Sequence, residues 1–145
     1  MAVASIGGHW IQLLRITKGL SDNFGITYVS TDPKCAAMVE GADFFSVKDF
    51  SRWNAYRIVP SFFKFLGRFI ARRPRAVLTT GAAPGLTAVA AAKLLGIRTI
   101  WVDSIANVEQ LSMCGKVARK FASRTYTQWP ELADRRTIYA GNVLK

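Results

Sequence analysis

The sequence lacks a hydrophobic run long enough to cross a membrane as a helix, which takes about 20 apolar residues. Its first residues, MAVAS, are too short for the apolar core of a secretory signal and predict a buried strand instead. Cysteine is scarce. Cys35 and Cys114 stand far apart without zinc-site or redox-motif spacing, so we expect buried thiols, with no disulfide and no metal site. These absences predict a cytoplasmic protein whose contact with a membrane is peripheral.

Acidic residues are also few. The 145 residues include 9 Asp and Glu against 20 Lys and Arg, a formal net charge of +11. Such a charge favours polyanionic partners, namely phosphorylated ligands, anionic membranes or nucleic acid. Helix-turn-helix, zinc-finger and RNA-binding motifs are absent, so we do not expect a nucleic-acid partner. Half of the residues are hydrophobic and the length suits one domain, which we place at residues 1–145.

Strand-like and helix-like segments alternate along the chain. AVLTT (76–80), a glycine-rich turn, an alanine-rich helix and RTIWVD (98–103) form a βαβ unit, which implies a parallel sheet. We therefore predict an α/β fold, a Rossmann-like parallel sheet with helices on both faces. The predicted strands cover residues 2–6, 26–30, 43–47, 76–80, 98–103, 124–128 and 137–141, and the predicted helices cover residues 9–20, 53–73, 86–96 and 113–123.

Three loops follow the carboxyl ends of predicted strands, the edge at which open parallel sheets bind ligands. They are SIGGHW (5–10), TTGAAPG (79–85) and DSIANV (103–108). Glycine pairs let a ligand approach the backbone, and the helix N-termini that follow favour an anion such as phosphate. Tight structural turns explain the same glycines equally well. We expect the three loops to converge on one crevice.

His9, the single histidine, has two possible roles. An imidazole at a helix start can act as a general base or donate to a phosphate, but it is also compatible with simple packing. Neither glycine loop has the GxxxxGK[ST] form of a nucleotide-hydrolysing P-loop. A dinucleotide site is an alternative because Asp32 follows the second strand, although SIGGHW lacks the third glycine of GxGxxG.

The segment 52–75 contains seven basic residues and no acidic one. At helical spacing Lys64, Arg68 and Arg72 flank one apolar face, which is formed by Phe62, Phe65, Leu66, Phe69 and Ile70. This pattern predicts a core helix with a basic edge, or an interfacial helix that inserts aromatic residues among anionic head groups. The membrane contacts predicted by the second interpretation are Phe62, Phe65, Arg68, Phe69, Arg72 and Arg73.

Four motifs together resemble a known family. SIGGHW, TTGAAPG, DSIANVEQLSMCGK (103–116) and TQWPEL (127–132) are similar in order and spacing to the PssD-type bacterial polysaccharide glycosyltransferase subunits. These subunits are relatives of the eukaryotic asparagine-linked-glycosylation protein that anchors a two-part N-acetylglucosaminyltransferase, and of the N-terminal half of MurG. The resemblance covers essentially the whole chain. It implies the acceptor domain of a GT-B glycosyltransferase.

The resemblance also implies roles for individual residues. His9 matches the histidine of the first family loop and becomes the candidate catalytic base, with Asp103 as the second candidate at a position where eukaryotic relatives tend to carry Glu. The implied contacts to an acceptor diphosphate are Gly7, Gly8, Gly81, Pro84, Gly85, Ser104 and Asn107.

The function that the resemblance implies is inverting transfer of GlcNAc or glucuronate from a UDP-sugar to a polyprenyl-diphosphate-linked saccharide, during polysaccharide biosynthesis. We expect no cofactor, and we expect a separate partner subunit to bind the UDP-sugar because no second domain follows AGNVLK. The N-terminal membrane anchor of the eukaryotic relatives is not expected here, so attachment to the inner face of the cytoplasmic membrane falls to the basic helix or to the partner. A non-catalytic membrane scaffold that recruits a complete enzyme is the alternative.

Overall fold

The computed structural model describes residues 1–48, 56 and 58–144. Within these residues, seven parallel strands form one sheet in the order β3-β2-β1-β4-β5-β6-β7. The strands are β1 (Ala2–Ala4), β2 (Tyr28–Ser30), β3 (Phe44–Ser46), β4 (Ala76–Thr79), β5 (Arg98–Val102), β6 (Arg124–Thr127) and β7 (Ile138–Tyr139). The helices are α1 (Gly8–Lys18), α2 (Ile58–Arg72), α3 (Ala82–Leu94) and α4 (Met113–Ala118). The predicted α/β class and parallel sheet are confirmed.

The strand order reverses between β1 and β4, which are neighbours in the sheet. From β1 the chain moves outward to β2 and β3, whereas from β4 it moves the opposite way to β5, β6 and β7. Connections that diverge in this manner leave a crevice at the carboxyl ends of the two central strands. SIGGHW follows β1 and TTGAAPG follows β4, so both glycine loops border this crevice.

Helices cover both faces of the sheet, as predicted. On one face, Trp10 and Leu13 of α1 pack against β1 and β2. On the other face, Phe65 and Phe69 of α2 join the alanines of α3 over β1 and β4. The alanines of α3 are small, which allows this helix to lie close to α2 and to the sheet at once. Val89 of α3 also contacts the cluster formed with β5 and α4.

Several element boundaries differ from the prediction. The predicted turn GAAPG is mostly helical, because α3 begins at Ala82 rather than at residue 86. Pro84 is compatible with this position, since amides of a first helical turn have no intrahelical acceptor. The helix predicted at residues 113–123 ends at Ala118, and two short 3₁₀ helices were not predicted. They are Pro33–Met38 and Pro130–Leu132.

Helix α2 corrects two of the predicted membrane contacts. Phe65 and Phe69 are 0% and 1% exposed and lie in the core, so the prediction that they touch a membrane is wrong. Through these two residues, the apolar face that the sequence pattern identified packs against the sheet. Phe62 is half-buried at the edge of the same cluster. Residues 53–55 and 57 of the predicted helix lie outside the described residues.

The basic side chains of α2 contact the edge of the sheet at β3. Lys64 Nζ donates to the carbonyl of Ser46 (2.9 Å), and the Arg68 guanidinium lies 4.6 Å above the Phe45 ring. Arg72 pairs with the carboxylate of Asp43. Part of the basic charge in segment 52–75 therefore orients α2 on the sheet.

A groove of about 1000 Å³ follows the face of the sheet that carries α1. Its floor includes Leu78, Ile100 and Tyr126, from β4, β5 and β6, and Phe24 lies at its margin. Arg72 and Arg75 line one end, and no acidic residue is among the described residues that line it. We refer to this feature as the sheet groove. It contains none of the residues predicted to bind a diphosphate.

Candidate functional site

His9 joins the two central loops. Its Nδ1 lies 2.8 Å from the carbonyl oxygen of Thr80, and the Thr80 hydroxyl donates to the His9 carbonyl (2.6 Å). Because a carbonyl only accepts, Nδ1 must carry the proton of the neutral ring. Nε2 then holds the free lone pair, in the tautomer that a general base requires.

Gly81 provides the space for this imidazole. It has φ +127°, and a Cβ there would lie 2.8 Å from Cε1 of His9. Its amide donates to Thr79 Oγ1 (3.2 Å) and is therefore occupied within the protein. Gly81 supports the ring of His9, and the prediction that it binds a diphosphate through its own amide is wrong.

The prediction that Pro84 and Gly85 contact a diphosphate is also wrong, because both residues are buried. A Cβ at Gly85 would lie 2.2 Å from Thr79 Oγ1, so this glycine allows α3 to pack against the end of β4. This is the role of the third glycine in dinucleotide-binding loops, which permits close contact between helix and strand. Neither residue can contact a ligand from this position.

The amino ends of α1 and α3 have no capping side chain. Neither helix has a side-chain cap or an acidic residue in its first turn, so amides and helix dipole present uncompensated positive charge. Gly7 has φ +93°, and a Cβ at Gly7 or Gly8 would meet nothing within 4 Å. Both glycines are exposed. The first loop therefore retains the open backbone that diphosphate binding by Gly7 and Gly8 needs, and that role stays a prediction.

The loop after β5, residues 103–112, is held at the same edge. Gln12 Nε2 of α1 donates to the carbonyl of Asp103 (3.0 Å). Trp129, in the TQWPEL motif after β6, donates from Nε1 to the carbonyl of Ile105 (2.9 Å). Hydrogen bonds thus join the first motif to the second and the third to the fourth, and Gln12 of α1, just beyond SIGGHW, links the two pairs. The three loops lie at one edge of the sheet, as expected, and their convergence on one ligand stays a prediction. Sequence reasoning missed Thr80, Gln12 and Trp129 as the residues that join them.

Asp103 organises this loop from the inside. It is 2% exposed, and its carboxylate accepts from Trp101 Nε1 (3.1 Å) and from the amide and hydroxyl of Ser112 (2.7 and 2.6 Å). Asn107 Nδ2 is a fourth donor (3.3 Å). Both oxygens are occupied and shielded from solvent, so the prediction of Asp103 as a general base is wrong.

Ser104 and Asn107 are half-buried beside Asp103. Ser104 Oγ accepts from the amide of Ala106 (3.3 Å), while its hydroxyl proton is not committed by that contact. Their proposed contact with a diphosphate stays a prediction. Asp32, the candidate ribose ligand of the dinucleotide alternative, caps the 3₁₀ helix after β2 by accepting from the amide of Lys34 (2.8 Å).

Comparison with known proteins decides the family. Residues 53–143, well over half of the chain, match the family described as Alg14: Oligosaccharide biosynthesis protein Alg14 like. The chain belongs to this Alg14-like family. The mouse UDP-N-acetylglucosamine transferase subunit ALG14 is 24% identical to it over 178 residues, which cover 99% of the chain and 82% of the mouse protein.

Solved structures share the fold. MurG from Acinetobacter baumannii has a TM-score of 0.78 at 15% identity, over 96% of this chain and 45% of MurG. UDP-N-acetylglucosamine 2-epimerase from Rickettsia bellii has a TM-score of 0.77 at 14% identity, over 99% of this chain and 44% of the epimerase. The Alg14-like chain therefore has the Rossmann-like fold of the N-terminal half of GT-B enzymes, and it spans less than half the length of these solved chains.

Proposed function

We propose that this Alg14-like chain is the acceptor-binding subunit of an inverting glycosyltransferase. One observation carries the proposal: His9 Nδ1 donates to the Thr80 carbonyl, which leaves Nε2 as the proton acceptor on a residue at the uncapped start of α1, beside the loop that leads to the uncapped start of α3. The protein therefore has an anion-binding helix end and a proton acceptor side by side. A polyprenyl diphosphate that carries a saccharide supplies both the anion and the hydroxyl group that must lose a proton.

In the proposed reaction, the diphosphate lies at the amino end of α1, against Gly7 and Gly8, and Ser104 donates from the opposite loop. The acceptor hydroxyl oxygen attacks the anomeric carbon of the UDP-sugar and forms the new glycosidic bond. The bond between that carbon and the UDP oxygen breaks, and UDP leaves with the electron pair. His9 Nε2 receives the hydroxyl proton.

We assign the UDP-sugar, with GlcNAc or glucuronate as the sugar, to a partner subunit that contacts the sheet groove. The groove exposes apolar side chains of three adjacent strands, and Arg75 at its end favours a partner with an acidic residue there, while Arg72 is paired with Asp43. Phe24 at the margin of the groove is 61% exposed, so its substitution should disturb the fold little and can be used to test contact with the partner. The relevant complex would operate at the inner face of the cytoplasmic membrane, in polysaccharide biosynthesis.

Membrane contact is assigned to the exposed apolar ridge of α2. Val59, Phe63 and Ile70 are 59%, 62% and 57% exposed, and Arg73 lies beyond the last turn. Since α2 leads from the carboxyl end of β3 to the start of β4, its first half lies toward the crevice. The exposed Phe63 side chain there would bring a lipid head group close to the glycine loops. In the described part of the chain, no helix is both long and apolar enough to span a bilayer.

Phe63→Ser should weaken binding to vesicles containing phosphatidylglycerol by about tenfold or more, because inserting a phenylalanine contributes about 1.5–3 kcal/mol. Phe24→Ser is the matched control, since the two phenylalanines are 62% and 61% exposed. Sedimentation at 0.15 M salt, a value near physiological ionic strength, measures both. Equal binding by wild type and Phe63→Ser would reject the proposed membrane contact of α2.

Reconstitution tests the function as a whole. We expect the chain and the product of the adjacent gene to transfer sugar from UDP-GlcNAc or UDP-glucuronate to a polyprenyl-diphosphate saccharide together, and neither to do so alone. Phe24→Ser should weaken their assembly while Phe63→Ser leaves it unchanged. Full activity of the partner alone would favour the scaffold alternative, and an assembled pair that transfers neither sugar would overturn the proposal.

A further inference from the structure

Gln12 is a buried polar residue with both ends of its side chain committed to one loop. It is 3% exposed and lies one helical turn after His9 on α1. Its Nε2 donates to the Asp103 carbonyl (3.0 Å), and its Oε1 accepts from the Ile105 amide (3.0 Å). The amide orientation is unambiguous, because a backbone carbonyl only accepts and a backbone N–H only donates. The Gln12 side chain therefore makes one donated and one accepted hydrogen bond to the backbone at the start of the β5 loop, as a neighbouring strand would make through its own backbone.

The peptide groups of Ile105 are held from a second side as well. The Ile105 amide donates to Gln12 Oε1, and the Ile105 carbonyl accepts from Trp129 Nε1 (2.9 Å). One residue of the β5 loop is thus fixed by α1 and by the segment after β6. Ser104, the candidate diphosphate contact, immediately precedes it.

Packing alone does not account for a glutamine at this position. Its neighbours Trp10 and Leu13 contribute to an apolar cluster, and burial of an amide is unfavourable unless its hydrogen bonds are made. Both bonds of Gln12 reach a different element rather than α1 itself. The side chain consequently fixes the distance between the helix that bears His9 and the loop that bears Ser104.

We propose that Gln12 is a positioning residue, which holds the β5 loop in register with His9 so that both sides of the crevice meet one diphosphate group. This inference rests on the proposed function for the identity of the ligand. Gln12 is buried and does not touch the ligand. Its loss should release the loop without displacing α1, and should weaken acceptor binding more than donor binding.

The test compares Gln12→Met with Gln110→Met, an exposed glutamine of the same loop. Gln12→Met removes both hydrogen bonds at nearly constant side-chain volume. We expect the Ile105 amide to exchange with solvent about tenfold faster or more, while the amides at the centre of α1 keep their protection. Calorimetric affinity of the chain for geranyl diphosphate should fall by about tenfold, and Gln110→Met should match wild type in both measurements.

Trp129→Phe provides a second variant on a different element. It removes the donor to the Ile105 carbonyl and keeps an aromatic ring, so it should lower the affinity for geranyl diphosphate in the same direction. In the reconstituted pair, Gln12→Met should raise KM for the acceptor about tenfold and leave KM for the UDP-sugar within about twofold.

The outcomes separate the two proposals. If wild type binds geranyl diphosphate and Gln12→Met binds it equally well, positioning by Gln12 is rejected and the function stands. Unchanged exchange at Ile105, or equal rises of both KM values, would reject it too. If wild type does not bind the diphosphate at all, the proposed site fails, and this inference fails with it.

Discussion

His9→Asn should lower kcat of the reconstituted pair by about 10²- to 10⁴-fold, the usual contribution of a general base. Asparagine is chosen because its Nδ2 can replace His9 Nδ1 as donor to the Thr80 carbonyl, which lies 2.8 Å from the ring. The link between the two glycine loops is then kept while the basic Nε2 is lost. His9→Ala loses the base and the side-chain bond to the Thr80 carbonyl, so only the bond from the Thr80 hydroxyl to the backbone carbonyl of residue 9 still joins the loops, and the TTGAAPG loop should loosen.

The comparison of these two variants separates chemistry from architecture. Thermal unfolding should show His9→Asn close to wild type, so a fall in kcat can be assigned to the missing base. KM for the acceptor should change little in His9→Asn, because the diphosphate is bound by backbone amides. Turnover by His9→Asn above one tenth of the wild-type rate would reject His9 as the base.

The second large effect is on stability. Asp103→Asn replaces one carboxylate oxygen by an NH₂ group, and either oxygen faces a group that can only donate. Oδ1 faces the Trp101 indole and Oδ2 faces the Ser112 amide. Two opposed donors in a buried site, together with the loss of charge-assisted hydrogen bonds, should cost about 3 kcal/mol. This corresponds to a fall of about 10 °C in Tm.

Asp134→Asn is the control, since Asp134 is exposed and paired with Arg119 at the surface. A second measurement uses Cys114, whose thiol pKa is raised by burial and, secondarily, by the Asp103 carboxylate. Removing that negative charge should lower the thiol pKa, so iodoacetamide should alkylate Cys114 faster in Asp103→Asn. A Tm within 2 °C of wild type would contradict the assigned role of Asp103; this threshold is about half the shift expected for 1 kcal/mol in a small domain.

The order of elements could be predicted from the sequence because hydrophobic periodicity and glycine turns are local signals. The apolar face of α2 was identified on the same basis. The spacing put Ile70 on the same face as Phe65 and Phe69, yet Ile70 is 57% exposed while the two phenylalanines are buried against the sheet. Which side of a helix meets the core depends on how the helix is placed against the sheet, and this is not a local property.

The candidate site was predictable in position and less so in the role of each residue. Gly7, Gly81 and Asp103 all follow strands, and the topology brings their loops together. However, Gly81 makes room for a side chain, and Asp103 binds donors that come from its own loop. These distinctions depend on contacts between segments distant in sequence. Gln12 gave one usable signal, a polar residue within the apolar stretch of α1.

In the proposed function, the loops after β1, β4 and β5 bind one diphosphate group. Titrating ¹⁵N-labelled chain with geranyl diphosphate, and following backbone amide shifts, tests it most directly. We expect saturable shifts that are largest at Gly7, Gly8, Ala82 and Ser104, reversed by inorganic pyrophosphate and weaker with geranyl monophosphate. Shifts confined to α2 or to the sheet groove, or no shifts at all, would contradict it.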